Sequence, residues 1–201
     1  MKKSIFKENK KYTFSDYFDM NHPTEEIVGE FGYSYSLGII ELPESTTCNT
    51  DSIKSLKNSY YTVLPKETAK RQFLIAPLLF EIAKETESKI SVEYPLEVDN
   101  KLSGYLDYLI RSKQQLVVIE AKKGDLDKGF NQLAAELIAL DKYEEEGSLM
   151  LYGAITIGEM WRFSTLDRKS KHLLKDIHSH RIPEDVEKLF RILMGITELS
   201  T

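Results

Sequence analysis

Residues 104–122 read GYLDYLIRSKQQLVVIEAK, two apolar runs rich in Tyr, Val and Ile around a polar patch at 111–115. Such runs predict a β-hairpin, although no Asn-Gly or Asp-Gly dictates the turn type. A symmetric turn centred on Lys113 and Gln114 sets Asp107 opposite Glu120. Because side chains alternate along a strand, Glu120 and Lys122 then share one face with Asp107. Leu116, Val117, Val118 and Ile119 are apolar on both faces, the pattern of a central strand covered on each side. Two carboxylates facing across a ladder have Cβ atoms about 5 Å apart and repel. A cation must offset them, either Lys122 or a divalent metal such as Mg²⁺, which takes carboxylate and phosphate oxygens.

The flanking segments supply a regular series of elements. Residues 65–85 predict a helix with Pro65 near its start, a core face of Phe73, Leu74, Leu78, Phe80 and Ile82, and a kink at Pro77. Arg71 and Glu81 are the polar residues of interest on it, Glu81 having Lys84 as an i,i+3 neighbour. Residues 90–98 predict a strand in which Pro95 marks an edge or a bulge, and Glu93 and Glu97 read as solvated strand-face residues. After the hairpin, residues 123–127 form a turn and an N-cap for a helix whose Leu126, Phe130, Leu133, Leu137 and Leu140 recur at three and four. Gln132 and Glu136 stack four apart on a flank of that stripe. Residues 149–157 and 160–166 predict a strand pair turning at Gly158-Glu159, with Trp161 and Phe163 as core aromatics. Residues 183–196 predict a closing amphipathic helix that begins at a proline.

Residues 1–64 are less regular and read as an N-terminal extension packed on a domain spanning 65–201. The aromatic stretch 12–18 begins a short helix or lies as an arm across the core, and 24–31 reads as a helical turn or two capped by Thr24. Residues 31–42 alternate as a strand does, and 44–58 read as a polar connector around a short helix. The order from residue 65 is helix, three strands, helix, two strands, helix, which predicts an α/β fold.

An acid, a hairpin and then Glu120-Ala121-Lys122 resembles the Asp…(Asp/Glu)-X-Lys signature of the PD-(D/E)XK nuclease superfamily, over roughly residues 66–166. The flavour is closest to the nuclease domain of type I restriction motor subunits. Leu106 precedes Asp107 where the signature carries Pro. The resemblance implies a restriction-endonuclease-like core, a central mixed sheet flanked by helices, and Mg²⁺- or Mn²⁺-dependent hydrolysis of phosphodiester bonds, in DNA ahead of RNA although the residues do not separate the two, with a homodimer as one form of assembly. It implies that Asp107, Glu120 and the carbonyl of Ala121 hold the metal, with Glu81 as an extra acidic ligand. Lys122 would orient or deprotonate the attacking water, and Gln132 would help place the lysine, water or phosphate. Arg71, Lys123, Arg162, Arg168, Lys169 and Lys171 are the candidate nucleic-acid contacts. Within 168–181, the most basic segment, the residues themselves fit a phosphate-binding track or a solvated face equally well. His172, His178 and His180 match no standard metal-ligand spacing.

Composition limits the alternatives. One cysteine, Cys48, rules out an intrachain disulfide, and the lysine-rich start has no apolar run behind it, so a reducing cytosol is expected. No stretch approaches a membrane span. A net charge of −5 weighs against tight sequence-independent DNA binding. It leaves open a second reading, a catalytically silent nuclease-like fold that binds or regulates alongside a partner.

Overall fold

The computed structural model describes residues 4–47, 50–62, 70–112, 115–120, 125–144 and 147–199. The apolar run takes the central position its composition demands. Strand β4 (Gln115–Glu120) lies between β3 (Ser103–Arg111), to which it is antiparallel, and β5 (Met150–Thr156), to which it is parallel. A parallel neighbour requires a crossover, and helix α5 (Leu126–Tyr143) provides it. Its N-cap is Asp125, whose carboxylate accepts from the backbone N–H groups of Asp127 and Lys128 at 3.1 and 3.0 Å.

The sheet is mixed and, among the described residues, has eight strands. Its order is β1-β7-β6-β5-β4-β3-β2, with short β8 beside β6. The others are β1 (Ser34–Gly38), β2 (Lys89–Glu97), β6 (Met160–Asp167), β7 (His172–Asp176) and β8 (His180–Arg181). Pro95 does lie in an edge strand, β2, where a missing N–H costs no ladder bond. Strands β7 and β8 occupy the basic segment that carries no strand signal strong enough to predict, because Leu173 and Leu174 are a lone apolar pair flanked by Lys171, His172, Lys175 and Asp176.

Helices cover both faces. On one, α5 packs with α1 (Phe14–Phe18) and α2 (Thr24–Gly29) over Leu106, Leu109, Leu151 and Leu166. Helix α5 is buried along residues 129–141 because the sheet lies on one side and the N-terminal helices on the other. Gly153 permits this approach: a Cβ there would sit 2.9 Å from a methyl of Leu133. On the other face, α3 (Thr50–Thr62), α4 (Ala76–Thr86) and α6 (Val186–Glu198) enclose Trp161, Phe163, Tyr108 and Ile110. Trp161 and Phe163 are thus core aromatics. A π-helical turn, Arg71–Ile75, precedes α4, so the irregularity expected at Pro77 takes the form of a widened turn just before it.

Segment 1–64 contributes to the common sheet, since β1 pairs in parallel with β7, Tyr35 opposite Leu173. Thr24 is the first helical residue of α2 rather than its cap, and its hydroxyl donates to Asn131 of α5 at 2.7 Å. The expected connector at 44–58 gives way to the 13-residue α3, which begins within it, runs beyond its end and is held by buried Ile53 and Leu56. No helix among the described residues is long and apolar enough to cross a membrane.

The hairpin register differs from the expected one by a single residue. Tyr108 pairs with Val118, Leu109 with Val117 and Arg111 with Gln115, so Asp107 is not directly opposite Glu120. On the other edge of β4, Glu120 pairs its backbone with Thr156 of β5. A turn without Asn-Gly does not impose a two-residue loop, and an odd separation between the last paired positions wins.

Candidate active site around Asp107

Strands β2 and β3 share one register from end to end, yet the ladder skips the position where Glu93 would meet Asp107. On one side of this gap Ile90, Tyr108 and Ile110 face the second core. On the other, Tyr94, Leu96 and Leu106 face the first. Both strands therefore invert their faces at the same level. Glu93 makes the inversion possible with a left-handed backbone, φ 51°, a strained conformation for a residue with a Cβ. Asp107 is 9 % exposed at this point, and simple alternation does not carry from it along the hairpin.

Three separate elements converge there. Arg71, at the start of the π-helical turn, sets its Nη2 3.4 Å from Asp107 Oδ1 and 4.0 Å from Glu93 Oε1. Its Nε donates to the Tyr108 hydroxyl at 3.4 Å, and the guanidinium lies 5.3 Å from that ring's centre. Gln132 of α5, 8 % exposed, lines the same cavity of about 420 Å³ with Arg71, Glu93, Gly104, Tyr105, Asp107 and residues 13–15. Gln132 donates through Nε2 to Glu136 Oε1 at 2.9 Å, and Glu136 is fully buried, so the amide is held in a fixed orientation. Gly104, at φ 142°, lets Phe14 close over β3, since a Cβ there would fall 2.9 Å from the ring.

Of the residues singled out by sequence, Asp107, Arg71 and Gln132 meet in this cavity. Glu81 does not line it. It lies on α4 with Lys84 Nζ at 3.6 Å, the i,i+3 neighbour. Glu120 is described by its backbone alone, and Ala121, Lys122 and Lys123 lie outside the described residues. Arg162 is directed elsewhere, to Ser179 at 3.2 Å and Asp127 at 3.3 Å. Arg168 and Lys171 close on Asp141 at 2.8 and 2.7 Å, while Lys169 is exposed beside them in the turn after β6. Two cations of the basic segment, Arg168 and Lys171, are thus held by one buried acid. Burial pushes the Asp141 carboxyl up, but hydrogen bonds from Arg168, Lys171 and Tyr33 outweigh it and hold the group below the usual carboxylate range. Lys175, bonded to Asp127 at 2.6 Å, lowers that carboxyl as well. The histidines are separately engaged: His172 with Ser34 and Ser36, His178 with Asp176, and His180 buried edge-on to Phe163.

Glu93, Tyr105 and the wall from residues 13–15 were not foreseen. Glu93 reads as an ordinary solvated strand residue, and nothing local in sequence announces its left-handed backbone. The donor set suits a hard cation: Asp107 and Glu93 present carboxylate oxygens to one polar cavity. Among the described residues no group of three His, Cys, Asp or Glu side chains is placed to hold a metal. No protein-family model matches this chain, and no curated protein does.

Proposed function

We propose that this protein is a Mg²⁺- or Mn²⁺-dependent nuclease with a restriction-endonuclease-like core, acting on phosphodiester bonds in DNA in a reducing cytosol. The observation that carries the reading is the meeting of Asp107, Arg71 and Gln132, from three elements, in one cavity beside the hairpin that ends in Glu120-Ala-Lys. Asp107, the carboxylate of Glu120 and the carbonyl of Ala121 are the residues to hold the metal. When bound, the metal neutralises charge on the scissile phosphate and acidifies a water. Lys122 orients that water and takes its proton, and its cation then offsets charge on the phosphorane. Gln132, fixed by Glu136, positions a water or a phosphate oxygen from the side of α5. Arg71 is the residue to transfer from the Asp107 carboxylate to a substrate phosphate, a bidentate match for its guanidinium.

The Arg71–Asp107 ion pair also favours a second reading, in which the carboxylate is satisfied internally and the fold serves only to bind. The deciding experiment incubates the protein with supercoiled plasmid, linear duplex, single-stranded DNA and RNA in Mg²⁺ and in Mn²⁺, with EDTA as blank. Cleavage by the native protein, lost in Asp107→Asn, in Lys122→Ala and in EDTA, is the expected result. Cleavage at the native rate by Lys122→Ala refutes the mechanism. A folded protein that neither cleaves nor binds Mn²⁺ supports the binding subunit.

A further inference from the structure

A second group of cations, apart from the segment 168–181, lies near the Asp107 cavity. Lys7, Lys10, Lys11 and Lys101 line a groove of about 600 Å³ with Ser4, Phe6, Asn9, Asn100 and the acid Glu8. Lys11 also lines a second hollow of about 320 Å³ with Glu97, Thr13, Gly104 and Tyr105. Those last three residues in turn line the Asp107 cavity. The three hollows therefore share walls, in the order lysine groove, Tyr105, Asp107.

We infer that this continuous groove is the track for a single-stranded nucleic acid, with the lysine arm holding phosphates on one side of the bond nearest Asp107. The inference rests on the nuclease reading for its direction, and on the groove itself for its chemistry. Lys10 and Lys11 pair with Asp16 at 2.9 Å and Glu97 at 2.7 Å, but all four side chains are solvent-accessible, and such pairs exchange readily for phosphate. Lys101 lies 4.6 Å from the centre of the Phe6 ring and Lys10 4.4 Å from that of Tyr12, which steadies both ammonium groups at the groove wall. Tyr105, which lines both the second hollow and the Asp107 cavity, is 66 % exposed and offers a ring face to an unpaired base. Asp107 is recessed beneath Phe14 and Tyr105 in a cavity of about 420 Å³, which admits a flexible strand more readily than a rigid duplex. By contrast Arg168 and Lys171 are already closed on buried Asp141.

The test measures fluorescence anisotropy of labelled single-stranded DNA, single-stranded RNA and duplex DNA against the full chain in EDTA, over a salt series. Asp107→Asn separates the two proposals, since it removes cleavage in Mg²⁺ and leaves lysine-dependent binding in EDTA. Replacing Lys7, Lys10, Lys11 and Lys101 by Gln is expected to weaken single-strand binding at least about thirtyfold and to flatten the salt slope by roughly 0.7 per lysine. Tyr105→Ala is expected to weaken it roughly tenfold with little change of slope. A preference for RNA over DNA leaves the track in place and assigns its sugar. Tighter binding to duplex, unchanged affinity and slope in the folded lysine variant, or a larger loss from Lys169→Gln with Lys171→Gln, overturns the inference. So does a native protein that binds no single strand at low salt. Absence of cleavage with lysine-dependent binding intact overturns only the nuclease reading.

Discussion

Replacing Asp141 by Asn tests how the N-terminal segment is joined to the rest of the sheet. The Asp141 carboxylate is 2 % exposed in its side chain and accepts from Arg168 Nε at 2.8 Å and Lys171 Nζ at 2.7 Å. The Tyr33 hydroxyl, just before β1, donates at 2.6 Å to Oδ2, the oxygen that also accepts from Lys171. An amide keeps the shape, but its NH₂ faces donors, and Arg168 is left largely buried without its anion. Removing one partner of a buried pair costs about 3–5 kcal/mol, and Lys171, half open to water, brings the expectation to the low end, about 3 kcal/mol. For a domain of this size that lowers Tm by about 6–12 °C. Circular dichroism melts of the native and Asp141→Asn proteins read it directly, and a fall below about 2 °C refutes the argument. The pH dependence supplies a second check. Because the folded carboxyl lies below its ordinary value of 3.8, its contribution is complete above that pH and is lost as pH falls through the folded value. The gap between native and Asn proteins must therefore narrow in acid and persist at neutrality.

Three further outcomes follow from the same structure. Gly104→Ala combines a φ of 142° with a Cβ 2.9 Å from Phe14 and is expected to cost about 2 kcal/mol in urea unfolding and to lower any cleavage with it; an unchanged midpoint would show that Phe14 does not close on β3. Gly153→Ala meets only the methyl ends of Leu133 and Leu137, at 2.9 and 3.0 Å, so a smaller loss of about 1 kcal/mol is expected, and a gain in stability would contradict the close packing of α5 on β5. Burial, followed by nearby Lys188, holds His180 below its ordinary 6.5 against the opposing pull of Asp185 and Asp176, with His178 adding to the lowering. The unfolded chain takes up that proton first, so native stability must fall as pH drops through 6.5 toward the folded value, and His180→Gln must flatten the pH 5–7 part of the stability curve.

Much of the architecture is written locally. The apolar run at 116–119 demands a central strand, the stripe from Leu126 to Leu140 demands a crossover helix, and Asp125 is placed to cap it. These follow because burial pattern and capping chemistry act over a few residues. Asp107, Arg71 and Gln132 could be chosen for the same reason, from residue type and element. Their convergence could not. It depends on the π-helical turn at Arg71–Ile75, β3 and α5 packing around one level of the sheet, and on an inversion of β2 and β3 that Glu93 makes with a left-handed backbone. Register is equally a tertiary matter, since a shift of one residue changes no local propensity and is decided by which side chains each core accepts. The fate of the charges shows this most clearly. Sequence presents the lysines of residues 7–11 and the cations of 168–171 alike, and only the fold ties Arg168 and Lys171 to a buried aspartate while leaving Lys7, Lys10 and Lys11 facing water. Charge is a property of residues, but its availability is set by what the chain brings alongside them from far away.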